Sequence, residues 1–98
     1  MMTSKRILSH SAVTTDGRPV MAGTFALVGT HGLPLELILD FFARRNWVID
    51  WIDYIRAALA DGHKPATIKA RILAAVGDVH GSAYAREVQK RLDVALDA

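Results

Sequence analysis

Beyond Gly32 the apolar residues fall into helical spacing and keep it to the end of the chain, which restricts the fold to a mainly α architecture. Pro34 suits a first helical turn, and Leu35, Ile38, Leu39 and Phe42 form one stripe. Glu36 and Asp40 lie off that stripe, with acids early and Arg44-Arg45 late, as the helix dipole favours. Asn46 reads both as a stop and as the next N-cap. A second helix is expected over Trp47–Ala60, with Val48, Trp51, Ile52, Ile55, Ala58 and Leu59 inward and Asp50, Asp53 and Arg56 left to solvent. Gly62 supplies its left-handed close. A third helix starts at Pro65 with Ile68, Ile72, Ala75, Val76 and Val79 on one face, and Gly77 and Gly81 fray its end. The fourth, Ser82–Leu96, takes Ser82 as N-cap and Tyr84, Val88, Leu92, Ala95 and Leu96 as its stripe. Glu87 and Arg91 are spaced for an i,i+4 ion pair.

Before Gly32 the pattern is different. Residues 7–14 alternate weakly, and Thr15-Asp16-Gly17-Arg18 is a turn signal. Residues 20–28 read either as a returning strand or as part of a short helix opened by Pro19 and stopped by Gly29, because periodicity does not separate short apolar runs. The expected fold is a compact bundle of about four helices with an N-terminal β-hairpin or extended arm. Residues 1–31 form the arm packed on the domain and 32–98 the helical domain, a single domain overall. The chain of 98 residues is 51% apolar, more than a small interior accommodates easily, so burial against a partner or a second copy is expected.

The same composition removes several kinds of chemistry. With no Cys there are no disulfides, thiolate nucleophiles, Cys zinc sites or iron–sulfur clusters. His10, His31, His63 and His80 lie in separate segments without HExxH or i,i+4 pairing, so no metal site is expected. Asp50 and Asp53 could pair as acid and base, but both fall on the expected polar face beside Arg56. No phosphate loop, nucleophile elbow or dinucleotide fingerprint occurs. The chain reads as a non-enzyme without cofactors. No apolar stretch spans a membrane, and the N-terminus reads as mature, so a cytoplasmic location is expected.

Two features remain for function. Phe41, Phe42, Trp47, Trp51 and Tyr54 place five of the seven aromatic residues within fourteen positions. One inward face does not take them all, so Phe41, Arg44, Arg45, Trp47 and Tyr54 are the candidate protein interface, with a homodimer the expected assembly. The second feature is the stretch from Tyr54 to Leu73, in which a helix, a Gly turn and a second helix succeed one another. There Ala58, Gly62 and Ile68 suit a helix–turn–helix. The string from Ala58 to Leu73 resembles the first two helices of resolvase- and transposase-like DNA-binding segments. It departs at Arg71, where such motifs place an apolar residue, and in lacking a short turn into a third helix. On this alternative Lys64, Lys69 and Arg71 contact phosphates, and Arg86, Gln89 and Lys90 are offered to the major groove. Six basic residues after Gly62 against four acids would support few phosphate contacts.

The run from Thr30 to Gly62, with its Gly-Leu-Pro-Leu entry at residues 32–35 and its Asp50-Trp51…Asp53-Tyr54 pattern, resembles small proteins of transposable, Mu-like bacteriophages and prophages. That resemblance implies an accessory or regulatory protein in a bacterial host, acting on a host or phage protein or on a promoter. It assigns no functional residue.

Overall fold

The computed structural model describes residues 8–97, and side chains through residue 94. The chain is mainly helical, in the order β1 (Ser9–Val13), β2 (Pro19–Ala22), α1 (Thr24–Gly29), α2 (Leu35–Arg45), β3 (Val48–Ile49), α3 (Trp51–Ala60), α4 (Pro65–His80) and α5 (Ser82–Asp97). No helix among the described residues is long and apolar enough to cross a membrane.

The longest helices, α4 and α5, form an antiparallel hairpin joined by the single residue Gly81. Its φ of 91° is a conformation in which a side chain would be strained. Lys69 meets Asp93, and a Cβ on Gly77 would lie 4.0 Å from that of Ala85. Each pair is equidistant from Gly81 in sequence, which fixes the register of the hairpin. Gly77 therefore sits inside α4 at a close approach to α5 and does not fray the helix. Ser82 is already helical, so the expected Ser82 N-cap gives way to the Gly81 pivot.

The core follows the stripes. Leu35, Ile38, Leu39 and Phe42 of α2 pack with Ile68, Ile72, Ala75 and Val76 of α4 and with Val88 and Leu92 of α5. Each large apolar side chain buried in this way contributes roughly 1.5–3 kcal/mol. Ala95 and Leu96, also expected in the core, have side chains outside the described residues.

The second expected helix needs correction at its start. Asn46 ends α2 in the left-handed region (φ 60°), where Asn is tolerated, and Trp47 N–H returns to the Phe42 carbonyl at 2.9 Å. The β-branched pair Val48-Ile49 then runs extended beside β2, so Trp47, Val48 and Ile49 precede the helix. Asp50, not Asn46, is the N-cap of α3, its Oδ1 accepting from Asp53 N–H at 3.0 Å.

Both readings of the N-terminal segment hold in part. The β1–β2 hairpin forms through the Thr15–Arg18 turn, but β2 stops at Ala22 and residues 24–29 are helical to Gly29. The sheet order is β1-β2-β3, with β1–β2 antiparallel and β2–β3 parallel. The register of β1 shifts between His10 and Ala12, and the intervening Ser11 hydroxyl donates to Asp50 Oδ2 at 2.9 Å.

Candidate interaction surfaces

A helix of eleven residues with four buried in one arc presents its remaining positions outward. On α2 that outer face is not polar. Leu37 is 54% exposed and Phe41 42%, and Leu33, just ahead of the helix, continues the row. Together with Asp40 and Arg44 they line a shallow depression of about 360 Å³. Asp40 Oδ2 accepts from Arg44 Nε at 3.0 Å along its edge.

At the C-terminal end of this row the Arg45 guanidinium lies 4.0 Å from the centre of the Phe41 ring and 5.7 Å from that of Trp47. Trp47 in turn stands edge-on to Phe41 and Phe42, at 6.0 and 5.4 Å. Four of the five interface candidates, Phe41, Arg44, Arg45 and Trp47, are thus brought together. The fifth, Tyr54, is not among them. It is 2% exposed, in the core on α3. The buried arc of α3 is Trp51, Tyr54, Ile55 and Ala58, while Ile52 and Leu59, expected inside, are exposed. The arc is rotated because α1 packs on the Tyr54 side, with the Phe25 and Tyr54 rings 5.3 Å apart. Leu33 and Leu37 are absent from the five candidates. The signal for them was their placement opposite the stripe of the same helix.

Asp50 and Asp53 are structural and not left to solvent. Asp53 Oδ2 accepts from Gly23 N–H at 2.8 Å, and Asp50 caps α3 and receives Ser11. Both carboxylates therefore fasten the N-terminal segment to α3.

The basic candidates are spread over several surroundings. Lys69 pairs with Asp93, and Lys90 lies 3.7 Å from Glu87 in place of the expected Glu87–Arg91 pair. Arg71 lines a cavity of about 180 Å³ beneath α1, whereas Lys90 and Arg91 border an apolar groove beside β3 and Ile52. Lys64 is the uncapped N-cap of α4, and Arg86 and Gln89 are exposed on α5. Tyr84, expected in the core, is partly exposed and stacks on His80, with ring centres 4.9 Å apart. The His63 ring is held by Asp61 at 3.2 Å, and no group of His, Asp or Glu among the described residues is placed to hold a metal ion.

No protein-family model, curated protein or solved structure matches the chain.

Proposed function

We propose that this chain is a non-enzymatic interaction protein that pairs with a second copy of itself through the outer face of α2. The observation that carries the reading is the exposed row Leu33, Leu37 and Phe41 on a helix whose opposite face already fills the core. Apolar residues in a row, bordered by Arg and Trp, are the composition of an interface centre. The charges suit a copy of the same helix. Glu36 and Asp40 precede Arg44 and Arg45, so two α2 helices packed antiparallel about a two-fold axis place acids opposite bases.

The resemblance to Mu-like phage proteins supplies the setting, a bacterial cytoplasm in which such a dimer binds a phage or host protein. The alternative, a helix–turn–helix regulator, draws less support, because Lys69 and Lys90 have carboxylate neighbours.

Light scattering across a concentration series tests the dimer. Leu37→Asp should yield a monomer with unchanged helical circular dichroism. Arg44→Glu should weaken association roughly tenfold, in the range of a lost charged contact, and adding Asp40→Arg should restore it. A wild-type chain that stays monomeric at all concentrations removes the self-pairing reading. Duplex binding that falls steeply with salt would favour the alternative.

A further inference from the structure

A buried tyrosine usually finds a partner for its hydroxyl, because an unmatched polar group in the interior costs stability. Tyr54 is 2% exposed, and Phe25 and Trp51 hold its ring edge-on at 5.3 and 5.8 Å. None of the described residues hydrogen-bonds to the hydroxyl, which is not sealed in the interior but keeps some solvent-facing surface. Burial raises its pKa, and the nearby Arg71 cation pulls the other way. The tyrosine borders the cavity of about 180 Å³ between α1, α3 and the start of α4.

The lining of this cavity has two characters. Phe25, Val28, Ala58 and Ile68 make an apolar wall, while Tyr54, Thr67, His63 and Arg71 bring polar groups to it. Arg71 forms no ion pair with a described acid, and Asp61 at the rim is engaged with His63. The first turn of α4, which carries Thr67, has neither an acidic residue nor a side-chain cap, so its end of the helix dipole is uncompensated. Arg71 stands at the position at which the helix–turn–helix pattern calls for an apolar side chain, and here it borders this pocket instead.

We propose that this cavity is a binding site for a small organic carboxylate, its charge held by Arg71 and the Tyr54 hydroxyl and its apolar body set against Phe25 and Val28. The size selects the class. An apolar cavity of about 150 Å³ admits benzene, so the volume of about 180 Å³ here matches the body of a ring-sized or branched acid. The carboxylate would give the Tyr54 hydroxyl the acceptor that the protein withholds.

Amide chemical shifts of the ¹⁵N-labelled protein, followed during titration with benzoate, benzyl alcohol and inorganic phosphate, test the site. Benzoate should produce saturable shifts at residues 25–29, 54–63 and 67–71. Benzyl alcohol, which lacks the charge, and phosphate, which lacks the body, should bind at least about tenfold more weakly. Arg71→Gln should weaken benzoate about tenfold or more. Tyr54→Phe should weaken it roughly three- to tenfold while leaving the Tm of the free protein nearly unchanged, since the hydroxyl it removes has no protein partner. A tyrosine with a purely structural role would give a lower Tm and unchanged affinity in that variant. Absence of saturable shifts up to about 10 mM benzoate, far above a millimolar Kd, would overturn the proposal. So would equal benzoate affinity in wild type and Arg71→Gln, or phosphate binding as tightly as benzoate.

Discussion

In the α4–α5 hairpin, Ile72, Val76, Val88 and Leu92 have essentially no exposed surface, whereas in residues 8–30 the only fully buried side chain is Thr24, whose hydroxyl has no partner among the described residues. The hairpin is held by apolar burial along two long helices. The N-terminal segment lays only partly buried side chains, Met21, Phe25, Leu27 and Val28, against the edge of the core and adds polar attachments: the β2–β3 pairing, Asp50 N–H to the Met21 carbonyl at 2.9 Å, Ser11 to Asp50 and Gly23 to Asp53. Two regions of one small fold can thus be fixed by a different balance of forces, one by deep apolar burial, the other by shallower packing reinforced with a few directional bonds.

The contrast can be tested by weakening each side. Leu92→Ala should have the largest effect, a loss of about 2–5 kcal/mol in denaturant melts, shared by every probe in the molecule. If only hairpin amides lost protection, the hairpin would not be the common foundation. Asp53→Ala, which leaves Gly23 N–H without its acceptor, should cost about 1–3 kcal/mol. In that variant hydrogen exchange should speed up over residues 19–29 and stay slow in α4 and α5. Uniform acceleration would mean that the two regions open as one unit. The smallest effect belongs to Tyr54, which touches Phe25 on one side and lies near Arg71 on the other. Burial raises its phenol above the ordinary 10.0, so the folded chain keeps the proton to higher pH than the unfolded one. Its contribution is complete below the unfolded value and is lost as pH rises through the folded value. Alkaline melts of wild type should therefore fall more steeply than those of Tyr54→Phe.

What the sequence made legible follows the same division. The stripes Leu35/Ile38/Leu39/Phe42 and Ile68/Ile72/Ala75/Val76 were readable because long amphipathic helices repeat their signal over several turns. Val48-Ile49 was not, since two β-branched residues beside a helical pattern carry no period, and only the distant Val20-Met21 makes them a strand. The rotation of α3 was hidden for a similar reason. Which arc of that helix is inward depends on α1, a six-residue helix with no signal of its own. Of the candidate surface, Phe41, Arg44, Arg45 and Trp47 were found by their clustering. Tyr54 was misplaced because its covering residue, Phe25, lies far away in sequence.

The parallel pairing of β2 with β3 also has a consequence for synthesis. A parallel partner is never supplied by a tight turn, and here it lies beyond the whole of α2. As the chain leaves the ribosome, β1 and β2 emerge first, their fastening aspartates follow later, and the packing beneath those waits for Val88 and Leu92. β1 and β2 are therefore made well before the residues that fasten them, and lack that support until β3 and Asp53 have emerged. Refolding from denaturant should be paced by this long-range closure and not by helix formation, which is far faster.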